Sequence, residues 1–208
     1  MTDAVLEIKK RPGCKLVSLK GGEQIKVPNA LFRLYTLKVN DPIDPDNYRL
    51  LLKKSEARYA LETAVRILEL RDKSRDEIMN KLLDAGYSEQ AAQAACDKLE
   101  SAGYLNDRRY AANTLERLNK KYGAIRLKQE LRQRGIGEDL IEELLLDTDK
   151  DAQAEAAVRL AQKTLRGKTG EKRDLYRRAY AALARRGYTP DVVKSALQQV
   201  FSDAPDDL

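Results

Sequence analysis

Gly167, Lys168 and Thr169 come closer than any other residues of this chain to a grip for a reactive phosphate. They match the last three positions of a P-loop, where Lys reaches the phosphates and the hydroxyl reaches magnesium. That loop also needs a Gly five residues before Gly167, where Gln162 stands, and a strand ahead of it, where the apolar spacing is helical. The stretch therefore reads as a basic interhelical loop. Glu142 and Glu143 are sequence neighbours, so on a helix they diverge and do not pair as general acid and base. Cys14 stands alone beside Pro12 and Gly13, and Cys96 occupies a place that Leu145 and Leu197 hold elsewhere, which makes it a small core hydrophobe. Histidine is absent, which removes His-based zinc sites and the Ser/His and Cys/His routes to an activated nucleophile. The sequence leads us to expect no catalytic residue, no metal and no cofactor.

The chemistry that remains is charge. The chain carries 39 Lys and Arg against 33 Asp and Glu, a net +6, and the excess is gathered in blocks. Arg117, Lys120, Lys121, Arg126, Lys128, Arg132 and Arg134 are opposed only by Glu130. Lys163, Arg166, Lys168, Lys172, Arg173, Arg177, Arg178, Arg185 and Arg186 are interrupted only by Glu171 and Asp174. Arg71 and Lys73 form a smaller basic pair. Between the two large blocks lies an acidic run, Glu138, Asp139, Glu142, Glu143, Asp147, Asp149, Asp151 and Glu155, with Lys150 alone against it. A charged run usually covers a solvated helix face. Two basic blocks at matching places in successive repeats instead point to one stripe, the footprint of a polyanion or an acidic protein groove.

The elements that would carry these blocks follow from a recurring frame: Leu, three residues, Gly, then a bulky apolar residue. It occurs as Leu82, Gly86, Tyr87, as Leu131, Gly135, Ile136 and as Leu183, Gly187, Tyr188, about every 50 residues. A Gly closing an amphipathic run is the usual left-handed residue after a helix. Two residues on, Ser88, Gly137 and Thr189 suit an N-cap, and acidic first turns follow. Tyr87 with Ala92, Ile136 with Ile141 and Tyr188 with Val193 then fall at hydrophobic-staple positions. Ser74 and Glu77 form a capping box for the preceding helix, and Ala60, Ala64, Ile67 and Leu68 keep helical spacing before it. In the later units, helices are expected from about Arg108 to Lys121 with a break at Gly123, from Ala152 to Leu165, and from Lys172 to Arg186.

At the other end, Lys15–Leu19 and Gln24–Val27 flank Gly21 and Gly22 as a two-strand pattern, Pro28 and Asn29 start a short helix through Leu37, and Pro42 with Pro45 reads as a linker. The expected fold is all-α: an elongated array of three tandem three-helix repeats with a small N-terminal β-hairpin and short helix. Residues 1–50 would form the extension and linker, 51–104, 105–150 and 151–202 the three repeats, and 203–208 an acidic tail. No stretch has the roughly 18 to 20 apolar residues of a membrane span, and the start lacks the apolar segment of a signal peptide. A cytoplasmic protein, monomeric and without a membrane partner, is expected.

The segment from Ala60 to Arg71, then Lys73 and Ser74, Leu82 and Gly86, Ala102 to Asp107 with Tyr110 and Ala111, Gly123 to Leu127 with Glu130, Leu131 and Arg134 to Ile136, and Arg185 to Tyr188 together resemble the RecX family, bacterial regulators of the RecA recombinase. Asn106, Lys73 and Tyr110 stand where members often have Asp, Arg and Phe, keeping cap, charge and aromatic character. The resemblance implies a non-enzymatic protein that binds the RecA filament on DNA and inhibits its ATP hydrolysis, strand exchange and coprotease activity, limiting recombination and the SOS response. Its expected partners are the RecA filament and single- or double-stranded DNA. The contacts would come from Arg71, Lys73, Arg117, Lys120, Lys121, Arg126, Lys128, Arg132, Arg134, Lys168, Lys172, Arg173, Arg177, Arg178, Arg185 and Arg186, and the acidic run would meet basic filament subunits. The competing reading is a helix-turn-helix transcription regulator. The helices after the turns offer few base-reading side chains, which weighs against it.

Overall fold

The computed structural model describes residues 2–146 and 150–202, in which four strands and ten helices are found. The chain divides into two compact units, residues 1–107 and 108–208. The expected acidic tail at 203–208, and Asp147 and Asp149 of the acidic run, lie outside the described residues.

In the first unit the expected hairpin is present as β2 (Cys14–Leu19) and β3 (Gln24–Pro28), and two further strands enlarge it. With β1 (Asp3–Arg11) and β4 (Pro42–Ile43) they form an antiparallel sheet in the order β3-β2-β1-β4. A register shift breaks the alternation of β1. Val5 is paired with Leu19 but Glu7 with Ser18, so Leu6 is left out and 55% exposed. An extra residue in one strand erases the two-residue period by which strands are recognised.

The helix after β3, α1 (Asn29–Leu34), is shorter than expected. The Pro42 to Pro45 stretch is not a linker: Pro42 opens β4, and Pro45 is the first residue of the 26-residue helix α2 (Pro45–Leu70). Asp44 caps α2, its carboxylate accepting from the backbone N–H groups of Asp46 at 3.1 Å and Asn47 at 3.3 Å. A boundary after residue 50 would cut this continuous helix. Buried alanines, Ala60 and Ala64 on α2 and Ala92 and Ala95 on α4 (Glu89–Ser101), let the two helices lie close. Between them α3 (Arg75–Asp84) begins at Ser74, where both halves of the expected capping box form. A hairpin alone is marginal in water. Here Lys26 of β3 donates to the carbonyl of Leu83 at 3.0 Å, and the β1–β2 turn approaches Ala85 so closely that a Cβ on Gly13 would stand 3.0 Å from its Cα. The sheet thus docks on the turn that ends α3.

The second unit contains α5 (Asp107–Asn119, whose first residue ends the first unit), α6 (Ala124–Arg132) and α7 (Glu138–Leu146) around Ala111, Leu127, Leu131 and Ile141. It continues with α8 (Lys150–Leu165), α9 (Lys172–Arg185) and α10 (Pro190–Ser202) around Ala157, Ala161, Ala179, Leu183 and Leu197. Each frame Leu (82, 131, 183) is fully buried. Each frame Gly has positive φ, 93° at Gly86, 73° at Gly135 and 77° at Gly187. The bulky residue after each Gly donates its backbone N–H to the carbonyl of the frame Leu, at 3.1, 3.1 and 3.3 Å, completing a Schellman closure. A fourth copy, Leu99, Gly103 and Tyr104, closes α4 by the same kind of bond, the Tyr104 N–H donating to the Leu99 carbonyl at 2.9 Å, but Tyr104 is 67% exposed and Leu105 takes the buried place.

Candidate functional site

The basic residues do not share one fate. Lys73 is 9% exposed, and its ammonium is engaged by Glu77 one turn further on. Within the chain it braces the start of α3. Arg71, at the end of α2, is exposed.

Five cations of the second repeat, Arg108, Arg126, Lys128, Arg132 and Arg134, are absorbed locally. α7 folds back across α6, so that Glu138 accepts two hydrogen bonds from Arg132, at 2.6 and 2.7 Å, and pairs with Lys128. Glu142 takes Lys128 as well, at 3.0 Å. These bonds raise the pKa of Lys128 and Arg132 and hold the Glu138 carboxyl down at about 2, Arg132 being the larger cause and Lys128 the next. Glu130 lies 2.7 Å from Arg126 and 3.9 Å from Arg134, whose guanidinium also donates to the Tyr110 hydroxyl at 2.8 Å. A Phe at 110 would lack that acceptor. On the far side of α7, Glu143 forms a two-bond pair with Arg108 at 2.7 and 2.8 Å, which lowers its pKa. Glu142 and Glu143 do diverge, and with Glu138 they are satisfied inside this repeat. This part of the acidic run thus pairs with cations of its own repeat.

The remaining cations stay open. Among the described residues no carboxylate pairs with Arg71, Arg117, Lys120, Lys121, Lys168, Lys172, Arg173, Arg178, Arg185 or Arg186, and Arg177 has only an exposed contact with Asp174 at 3.5 Å. Gly167 to Gly170 is the expected interhelical loop between α8 and α9 and carries Lys168.

The turn after α9 meets the start of α6 within the second unit. The Gly123 N–H donates to the carbonyl of Arg186 at 2.9 Å, and the Ile125 N–H to that of Gly187 at 3.0 Å. The carbonyls just past the end of α9 thereby satisfy donors at the start of α6, with opposite dipole ends in contact. The approach requires glycine on both sides: a Cβ on Gly187 would stand 2.5 Å from the Arg126 Cβ, and one on Gly123 would stand 2.5 Å from the Gly187 carbonyl oxygen. Tyr122 lies between two guanidinium groups, Arg186 at 5.4 Å and Arg126 at 5.9 Å from its ring centre. Arg186 also reaches the Lys121 carbonyl at 3.5 Å. Arg126 of the first basic block, itself paired with Glu130, and Arg186 at the end of the second thus meet over one aromatic ring, a junction flanked in sequence by Lys120, Lys121 and Arg185. Sequence reasoning listed the cations but missed Tyr122 and the two glycines as their organisers. An aromatic ring within a basic run, beside Gly123, was the available signal.

Among the described residues, no group of three or more His, Cys, Asp or Glu could hold a metal, and no helix is long and apolar enough to cross a membrane. Comparison with known proteins places three family models on the chain: the RecX first three-helix domain at residues 60–99, the second at 106–145 and the third at 151–197. The chain belongs to the RecX family. It is 32% identical to the regulatory protein RecX of Chlorobium phaeobacteroides over 149 residues, 71% of this chain and 97% of that one. It is 29% identical to that of Clostridium botulinum strain Alaska E43 over 169 residues, 80% of each. A crystal structure of RecX from Lactobacillus salivarius shares the fold at a TM-score of 0.67 and 21% identity, over 72% of this chain and 99% of that one. A second crystal structure, of regulatory protein RecX, covers 97% of this chain at a TM-score of 0.65. The mostly helical fold, three three-helix domains preceded by small strands, is therefore a RecX fold.

Proposed function

We propose that this RecX-family chain is a non-enzymatic regulator that binds a RecA-type filament on DNA and inhibits its ATP hydrolysis, strand exchange and coprotease activity, limiting recombination and the SOS response. The observation that carries the reading is the junction in the second unit, where Arg126 and Arg186 from two repeats meet over Tyr122 and, among the described residues, no carboxylate pairs with the flanking Lys120, Lys121 or Arg185 or with Arg186. Concentrated positive charge on rigid helix ends suits a phosphate backbone or an acidic groove. The family relationship supplies the class of partner, and the chain acts in the cytoplasm as a monomer.

The transcription-regulator reading is weaker. Among the described residues the open cations lie just after α5 (Lys120, Lys121) or on and beside α9 (Lys172, Arg173, Arg178, Arg185, Arg186), whereas α7, the helix after the second repeat's turn, spends its carboxylates on Lys128, Arg132 and Arg108. Such a helix has little with which to read base edges. The test is titration of the chain into a RecA-type filament on single-stranded DNA, following ATP hydrolysis, with free-DNA binding measured in parallel. Falling hydrolysis supports the proposal. Sequence-selective duplex binding with no effect on the filament refutes it.

A further inference from the structure

The two flanks of α9 differ. With the buried side of the helix set by Leu175, Ala179 and Leu183, one flank carries Arg178 and Arg185, which run toward the junction. The other carries Tyr176 and Tyr180, one turn apart, 39% and 44% exposed, with Arg173 and Arg177 beside them on the outer rim. Among the described residues neither tyrosine hydroxyl has a hydrogen-bond partner. Tyr176 rests on Phe201 of α10, ring centres 5.7 Å apart and planes tilted by 44°, which fixes the inner edge of the patch. Lone exposed aromatics are ordinary. Two at helical spacing, backed by a third ring and edged by the exposed guanidinium groups of Arg173 and Arg177, combine flat apolar faces with phosphate-binding charge.

We infer that this tyrosine flank of α9 is a stacking platform for the bases of single-stranded nucleic acid, with Arg173 and Arg177 on the phosphates. The inference rests on the proposed filament-on-DNA reading, takes the phosphate backbone as the target of the second unit's cations, and names the form of nucleic acid bound. Residues four apart on a helix lie about 6 Å apart along its axis. That is nearly twice the roughly 3.4 Å rise per nucleotide of a stacked strand, so successive bases reach both rings only from an unstacked, extended strand. Duplex bases already stack on one another and offer no free face, whereas a single strand gives a ring to each tyrosine and a phosphate to each arginine. The platform needs no particular base, since every base has a π face.

The test measures binding of the full chain to a labelled oligothymidylate and to a hairpin duplex of similar charge, across a salt series. Tyr176→Ala with Tyr180→Ala is expected to weaken single-strand binding at least tenfold while duplex binding changes less than about threefold and the salt slope holds. Tyr176→Phe with Tyr180→Phe keeps wild-type affinity. Arg173→Ala with Arg177→Ala lowers the single-strand salt slope by up to about 1.4, two phosphate contacts. Because Tyr176 supports Phe201, Tyr180→Ala alone serves as the check on folding and carries part of the same loss. Unchanged single-strand binding in the alanine variants overturns the inference, as does an equal loss on single strand and duplex, or a loss in the phenylalanine variant. Alanine variants that bind oligonucleotide normally but fail to inhibit filament ATP hydrolysis assign the flank to protein contact and also overturn it. A wild-type chain that ignores oligothymidylate yet inhibits the filament sinks this inference and leaves the filament proposal standing.

Discussion

Three alanine substitutions separate the forces that hold the second and third repeats together. Gly167→Ala places a side chain at φ +67° where nothing lies within 4 Å, so it carries only the backbone cost, about 1–2 kcal/mol. Gly123 has φ −80°, which alanine adopts freely, but its Cβ would meet the backbone of Gly187 and Tyr188. Gly123→Ala therefore carries the junction cost alone: two backbone hydrogen bonds at about 0.5–1.5 kcal/mol each, about 1–3 kcal/mol in all. Gly187→Ala carries both, about 2–5 kcal/mol. Thermal unfolding followed by circular dichroism should rank Gly187→Ala lowest, and at about 2–4 °C per kcal/mol the spacing is measurable. DNA binding should fall for Gly123→Ala and Gly187→Ala, which part the two basic groups, and hold for Gly167→Ala, which leaves them together. A Gly123→Ala protein as stable as wild type would refute the claim that the repeats are joined at this contact.

Further outcomes are expected. Glu138→Gln with Glu142→Gln releases Lys128 and Arg132, so duplex affinity should rise and the salt slope steepen by up to about 1.8; weaker binding would contradict the account of α7 as a neutralising helix. Because the Glu138 carboxyl is held at about 2, below its unfolded value, its contribution is full above about pH 4.5 and is lost as pH falls toward 2; an acid-unfolding curve of Glu138→Gln should be flatter across that window. Charge reversal at Arg177 and Arg178 should weaken polyanion binding and flatten its salt dependence. Leu131→Ala, at a fully buried frame position, should cost about 2–5 kcal/mol in denaturant unfolding.

What was legible in the sequence was what a single residue type decides locally. The frame glycines stand out because a left-handed residue after a helix has few alternatives, and Ser74 with Glu77 because a capping box is a four-residue event. The fourth closure at Gly103 escaped notice because the residue after it faces solvent and the buried place passes to Leu105. The start of α2 was hidden because Asp44 and Pro45 suit a helix N-terminus and a linker equally well. β1 was hidden by its bulge. Among the candidate site residues, charge type was readable and charge pairing was not. Whether Lys128 faces water or Glu138 depends on how α7 crosses α6, and Arg186 meets Tyr122 only because two distant turns dock.

The central claim is that the junction cations carry the regulatory contact. Its most direct measurement is the concentration of this chain that halves ATP hydrolysis by a RecA-type filament on single-stranded DNA. Wild type should be compared with a variant carrying Lys120→Glu, Lys121→Glu, Arg185→Glu and Arg186→Glu, shown folded by circular dichroism. The account predicts that the variant needs at least about tenfold more protein, since four lost phosphate contacts outweigh any single helix contact. Equal potency of the two proteins would contradict it.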